Sequence, residues 1–349
     1  MQSSAKVKPR IPDGLNYPFA QPPLPGALIE VAPGVHWLRM PLPFALEHIN
    51  LWLLADGDGW TVVDCGFATD ETRALWLDIF SAGLMGRPVT RIIITHFHPD
   101  HCGLAAWLES QWRAPVHMTG PEFAAARAWF DAHELHRRDA HVALFRSHGL
   151  RLDEEPAQRQ NLFKRGVPAL PSDIVKLQDG QPLTINGRGW RVVTGYGHSP
   201  EHAALYCGEL GVLIAGDMVL PRISTNVSVQ ASAPDADPLG RFLDSLQRYA
   251  ALDADTLVLP SHGLPFYGLR DRIATLRQHH DERLDELFAA CAQPQTGAQL
   301  MPVLFKRELD AHQTMFAMGE TLSHINYLHQ RGRLARTRGD DGIYRYACI

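Results

Sequence analysis

Apolar residues gather in four short runs near the start of the chain, at 27–32, 35–40, 48–55 and 60–64. Runs of that length predict strands, and Asp56-Gly57-Asp58-Gly59 between the last two predicts a tight turn. The pattern changes at Thr69–Leu84, where Leu75, Trp76, Ile79 and Phe80 recur at helical spacing and Thr69 or Asp70 can serve as N-cap. A compact apolar run, 91–95, predicts a buried strand, followed by helix at 103–112 and a short strand at 116–118. Residues 121–149 carry helical spacing and lead into a polar, Pro-flanked stretch to about 172. Residues 121–172 together, helix and polar stretch with Arg151, Asp153, Glu154 and Glu155, read as an insertion that caps the molecule and is expected to wall its functional edge.

From Ile174 the strand pattern resumes, at 183–185, 190–194, 203–207, 212–215 and 257–259, with the turn Asn186-Gly187 between the first two. Helical spacing appears at 237–252 and 268–292. Two strand-rich halves, each closed by helices, predict an α/β sandwich of two sheets with helices outside. Beyond about 294 the pattern differs: helices at 296–309 and 312–331 precede a hairpin, 333–338 and 343–348, around Gly339-Asp340-Asp341-Gly342. Helix, helix, hairpin reads as a small winged-helix-like domain over 294–349. The Pro-rich residues 1–26 read as an extended arm, which leaves 27–293 as the main domain.

Composition narrows the class without naming it. The 349 residues include 33 Lys and Arg against 38 Asp and Glu, a net charge of −5, which disfavours general nucleic-acid binding. Five cysteines (Cys65, Cys102, Cys207, Cys291 and Cys348) form no C-x-x-C pair, which removes a disulfide framework and a thiolate zinc finger from consideration. The basic residues near the N-terminus lack an apolar stretch behind them, so no signal peptide is expected. No apolar run approaches the ~18 residues that a membrane span requires. A cytoplasmic protein is the resulting expectation. The unusual count is 18 histidines, several of them clustered.

His96-Phe97-His98-Pro99-Asp100-His101 follows directly on the strand 91–95. Imidazoles two residues apart in extended chain share a side, so His96 and His98 can bind one metal ion. The turn at Pro99 then presents Asp100 and His101, which can face a second ion. A polar surface loop has no need of four such donors within six residues. Three later segments supply more donors, each at a strand end beside glycine: His198 in Gly197-His198-Ser199-Pro200-Glu201-His202, Asp217 in Ala215-Gly216-Asp217-Met218, and His262 in Ser261-His262-Gly263.

The segments HFHPDH, GHSPEH, AGDM and PSHG together resemble the metallo-β-lactamase-fold hydrolases over roughly residues 27–290. The resemblance implies an αββα sandwich with metals at one edge. It implies that His96, His98 and His198 hold one ion, that Asp100, His101 and His262 hold the other, and that Asp217 bridges them. Val63-Asp64-Cys65-Gly66 is similar to the family's early strand-end motif, in which the Asp supports the metal loops. His202 is expected behind the ligands, and Cys102 as a small buried residue.

Having His98 rather than Glu at the second position disfavours the di-iron reductases of similar fold. A bridging Asp217 is typical of glyoxalase II-like thioesterases, lactonases and nucleases. Tyr196 stands where many relatives have Pro, and with Arg222 and Asn226 it is a candidate for the substrate pocket. The segments 220–226, 305–307 and 319–322 resemble the lactamase-β-like subgroup with a C-terminal winged helix, some of whose members cut RNA.

The resemblance therefore implies a hydrolase with two divalent ions, zinc foremost and iron or manganese as alternatives. A water shared by the ions would attack a small ester, thioester or lactone, with Asp100 and Asp217 in catalytic roles. An endoribonuclease is the alternative. The tail carries Lys306, Arg307, Arg331, Arg333, Arg336, Arg338 and Arg345 against five acids, an excess of 7 − 5 = +2 and a thin basis for phosphate binding. Its apolar positions Met315, Phe316, Leu322, Ile325 and Leu328 favour docking on the main domain or on a second subunit of a homodimer. A persulfide-dioxygenase-like enzyme with one iron would need only part of the donor set.

Overall fold

A computed structural model describes residues 14–44, 46–131, 134–151 and 162–349. Asp153, Glu154 and Glu155 of the polar insertion lie outside the described residues, as do the first thirteen residues of the arm.

The first half runs β1 (Ile29–Ala32), β2 (Val35–Pro41), β3 (His48–Asp56), β4 (Gly59–Val63), α1 (Asp70–Asp78), β5 (Val89–Ile93), α2 (Pro99–Cys102), α3 (Ala105–Trp112), β6 (Val116–Thr119), α4 (Gly120–Asp131), α5 (Glu134–Ser147), α6 (Leu162–Gly166) and β7 (Val175–Leu177). Its seven strands form one sheet in sequence order, antiparallel through β4 and parallel from β4 to β7. The second half runs β8 (Pro182–Ile185), β9 (Arg188–Gly195), β10 (His202–Cys207), β11 (Val212–Gly216), α7 (Pro238–Ala250), β12 (Leu257–Pro260) and α8 (Leu269–Ala290). It forms a five-stranded sheet ordered β12-β11-β10-β9-β8, in which β11 and β12 are parallel. The tail comprises α9 (Gly297–Leu304), α10 (Ala311–Gln330) and the hairpin β13 (Leu334–Arg338) with β14 (Tyr344–Cys348).

Three apolar layers hold these parts together. Between the sheets lie Trp37, Trp52, Trp190, Leu205 and Ile214, with the rings of Trp37 and Trp52 stacked at 6.3 Å. Outside the larger sheet, Trp76 of α1, Leu108 of α3 and Ala126 of α4 cover Ile92 and Val116. Outside the smaller sheet, Phe242 and Leu246 of α7 and Ile273 of α8 share one cluster with Leu322 and Ile325 of α10. Leu322, Ile325 and Leu328 of the tail's apolar stripe are thus covered by helices of its own chain, Met315 is partly covered, and Phe316 stays 49% exposed.

Local chemistry accounts for most boundaries. Thr69 caps α1 by accepting from the Thr72 amide, with Asp70 and Glu71 in the first turn. Asp237 caps α7 ahead of Pro238, and Thr296 and Gln299 form a reciprocal capping box on α9. Three sequence expectations shift. The helix expected over 69–84 ends at Asp78 and continues as a π-turn over Ile79–Gly83, closed by a bond from the Leu84 amide to the Ile79 carbonyl. The helix expected to reach 309 stops at Leu304, with Pro302 inside it and Asp310 capping the next helix. The strand expected at 91–95 ends at Ile93, because Thr95 exchanges the ladder for the Asp64 carboxylate.

That exchange shapes the functional edge. The Thr95 amide and hydroxyl both donate to Asp64 at 2.8 Å, while the Thr95 carbonyl accepts from the Ala203 amide of the other sheet. A second main-chain bond, Asn50 amide to Ser261 carbonyl, joins the sheets nearby. The C-terminal ends of β4, β5, β9, β11 and β12 meet at this pinched edge.

Candidate metal centre

The chain leaves β5 extended at His96 and His98, then winds into the single turn of α2, which carries Asp100 and His101. His198 follows β9, Asp217 follows β11, and His262 follows β12. Two donor groups result. His96 Nε2 lies 2.9 Å from His98 Nδ1 and 3.2 Å from His198 Nε2. Asp100, His101 and His262 form the other group, with Asp100 Oδ2 at 3.7 Å from His101 Nε2 and 3.5 Å from His262 Nε2. Asp217 stands between the groups. Its Oδ2 is 3.3 Å from His198 Nε2, and its Oδ1 is 3.5 Å from His101 Nε2 and 3.4 Å from His262 Nε2.

The imidazoles are aimed from behind. His101 Nδ1 donates to Asp64 Oδ2 at 2.8 Å, the carboxylate–histidine pairing that fixes a ligand's tautomer. His262 Nδ1 donates to the His48 carbonyl and His198 Nδ1 to the Asn226 carbonyl, both at 2.8 Å. Asp64 is held in the left-handed region at φ 61°, a strained position maintained by its three bonds to Thr95 and His101. His202 accepts from the Asp217 amide at 3.3 Å, which places it behind Asp217. Gly216 is required there. At its φ of 54° an added Cβ would sit 2.1 Å from His202 Nε2.

Burial, reinforced by the neighbouring rings, holds His96 and His98 well below the ordinary histidine value, so both present free lone pairs. Burial and His198 push His202 down to about 3, which suits its role as acceptor. For His101 burial acts downward, but Asp64, Asp100 and Asp217 outweigh it and raise the ring well above its ordinary value. Burial works against ionisation of Asp217, yet His262 and His101 hold its carboxyl well below the usual range.

The residues fit metal ions. Among the described residues, His101 Nε2 and Asp217 Oδ1 are buried with no hydrogen-bond partner, and they face each other across the second group. Buried polar atoms are rarely left so, and a cation between them satisfies both. The donors are imidazole nitrogens and carboxylate oxygens, a set suited to divalent first-row ions. No thiolate takes part. Cys65 and Cys102 are buried, burial raises both thiols well above their ordinary value, and each donates to a main-chain carbonyl.

The three candidate pocket residues occupy different settings. Tyr196 donates its hydroxyl to Glu201 at 3.1 Å, and its ring lies under Arg241. Arg222 is exposed above the Tyr17 ring. Asn226 meets the centre through its backbone carbonyl, while its side chain bonds Glu320 and Ser228. Sequence reading missed Glu122. From α4 this buried carboxylate accepts from the Phe97 amide, the Ser199 hydroxyl and the Glu201 amide, stapling the 96–101 loop to the 197–202 loop. An acidic residue in a first helical turn carries no signal of such a task.

A strand-end cluster of this kind, in a two-sheet sandwich, defines a class of metal-dependent hydrolases, and comparison with known proteins bears that out. The family described as the metallo-beta-lactamase superfamily matches residues 45–262, and the metallo-beta-lactamase-like C-terminal domain matches residues 284–349. The chain belongs to the metallo-beta-lactamase superfamily and is a hydrolase of that class. Among solved structures it is similar to a beta-lactamase domain protein from Burkholderia ambifaria, at 50% identity and TM-score 0.89, covering 96% of this chain and 97% of that one. A metallo-beta-lactamase family protein from Thermus thermophilus is 34% identical with TM-score 0.78, covering 92% and 100%. The Bacillus subtilis protein described as probable metallo-hydrolase YqjP is 26% identical over 83% of this chain and 91% of its own length.

Proposed function

We propose that the chain is a dinuclear hydrolase of a small ester, thioester or lactone, with zinc as the metal. His96, His98 and His198 would hold one ion, Asp100, His101 and His262 the other, and Asp217 both. The observation that carries this reading is the split carboxylate of Asp217, whose two oxygens face different donor groups at 3.3–3.5 Å. When bound, two such ions supply an activated water at neutral pH and a Lewis acid for the scissile oxygen.

The chain's own groups do the remaining work. Asp64 and the carbonyls of His48 and Asn226 keep three imidazoles aimed without further reorganisation. Asp100 is the more open of the two ligand carboxylates, with 19% of its side chain exposed against 10% for Asp217. It is therefore the group placed to accept a proton near solvent.

A small substrate is favoured over RNA by the occupation of the tail's arginines. Arg331 pairs with Asp237 at 2.8 Å, Arg336 pairs with Asp235, and Arg333 lies over the Phe288 ring at 4.2 Å. The deciding experiment is elemental analysis of protein never exposed to chelator, with turnover of a panel of esters, thioesters, lactones and a short RNA. Two ions per chain and acyl hydrolysis are expected. One iron with persulfide oxidation, or cleavage of RNA alone, would overturn the reading.

A further inference from the structure

The three metal-facing imidazoles with main-chain or carboxylate anchors do not draw those anchors from equally firm ground. Asp64 follows β4 directly, and the His48 carbonyl belongs to β3, so His101 and His262 are aimed by the larger sheet. Asn226, which aims His198, lies in the irregular segment between β11 and α7, where no ladder or helix fixes a carbonyl.

The tail supplies what that segment lacks. Asn226 Nδ2 donates to Glu320 Oε2 at 3.2 Å, and Asn226 Oδ1 accepts from the Ser228 hydroxyl at 2.8 Å. The Val229 amide donates to the Gly319 carbonyl at 3.0 Å. Gly319 has no space for a side chain, since an added Cβ would lie 2.9 Å from both Cβ and Oγ of Ser228. Val227 and Val229 are buried in the same cluster as Met318 and Leu322 of α10. At the other end, the Thr225 hydroxyl donates to the Asp217 carbonyl. Residues 225–229 therefore run from the backbone of Asp217, past the ring of His198, onto the side of α10.

We propose that Glu320, with Gly319, is a positioning residue for the metal centre: from the C-terminal domain it holds Asn226 so that the Asn226 carbonyl fixes the ring of His198. The C-terminal domain is then a working part of the hydrolytic site rather than an appended module. The inference rests on the reading of His198 as a metal ligand. A role for Glu320 confined to packing α10 makes a different prediction, because packing is indifferent to whether one oxygen at this position accepts a hydrogen bond.

The test uses the full-length protein loaded with zinc, and separately with cobalt, and follows the rate at which each ion is lost to excess chelator together with the visible spectrum of the cobalt form. Glu320→Ala should release one of the two ions about 10–100-fold faster and alter the cobalt spectrum, the usual size of effect when a ligand loses its outer support. Asn226→Ala removes the same bond from the other end and should match it. The double variant should be no worse than either single one. Glu320→Gln retains an accepting oxygen and should restore slow release. Leu328→Ala, buried in the tail away from this bond, should lower the melting temperature and leave metal release unchanged. Wild-type release of both ions from Glu320→Ala, or a Glu320→Gln variant as leaky as Glu320→Ala, would overturn the proposal. Wild-type protein that holds fewer than two ions would instead be a failure of the dinuclear reading, and the proposal would fall with it.

Discussion

Among the described residues, two clusters of buried histidines stand out, and they differ in whether their donors converge as a metal ion requires. At the sheet edge, five imidazoles turn nitrogens inward with Asp100 and Asp217 among them, and the outward nitrogens of His101, His198 and His262 are engaged by Asp64 and by main-chain carbonyls. Between α8 and α10, His280 Nδ1 lies 3.2 Å from His324 Nε2, and His324 Nδ1 donates to the Glu320 carbonyl. There the imidazoles face each other, and among the described residues no carboxylate joins them in a donor group. Burial and the neighbouring ring push His280 down to about 2, and burial pushes His324 to about 4, so both are neutral groups joining two helices. The contrast teaches that clustered histidine is not itself a signal of chemistry. Convergent lone pairs, anionic company and outer support are.

The sharpest way to break the contrast is to remove a donor from the first cluster. Asp217→Ala should lower turnover by on the order of 10³-fold or more, because a bridging ligand supports several kcal/mol of transition-state stabilisation. Exchanging both His96 and His98 for Ala should abolish metal binding, read by elemental analysis. Activity retained in either variant would mean the donors are misassigned. One shell outward, Asp64→Asn leaves all seven donors in place but weakens the partner of His101, and metal affinity should fall about 10–100-fold in a chelator competition.

The second cluster should answer to pH instead. Its native pKa values lie below the unfolded value near 6.5, so its contribution to stability is fully present above that pH. That contribution is lost as pH falls from 6.5 toward 4, amounting to a few kcal/mol. The protection factors of α10 amides, corrected for the intrinsic exchange rate at each pH, should fall across that window, and substitution of both His280 and His324 by Leu should flatten the response. An α10 equally protected at pH 7.5 and 5 would contradict it. The smallest effect is expected at the tail's surface. Neutralising Arg331, Arg333, Arg336 and Arg338 together should leave hydrolysis of a small ester intact, since partly exposed ion pairs contribute little. Salt-sensitive RNA cleavage that vanished with them would reverse the ranking of substrates.

Much of this was legible along the chain because it depends on neighbours in sequence. The short apolar strand runs, the cap at Thr69, and the six residues from His96 to His101 carry their physics within one turn or one strand. The early end of β5 was not legible. Its cause is Asp64, thirty-one residues before Thr95, competing for a ladder amide. The π-turn after α1 was hidden for a similar reason, since Ile79 and Leu84 are both placed in the core of the larger sheet's outer layer.

By itself, then, the sequence determined the donor types, their order at strand ends and the class of chemistry those donors permit, because lone pairs and strand geometry are local properties. Only the tertiary structure decided that Glu122 would staple two loops 77 and 25 residues from itself, and that the C-terminal helix would reach Asn226. Those are pairings across different sheets and domains. They follow from how apolar layers stack rather than from any spacing along the chain, and so no stretch of sequence contains them.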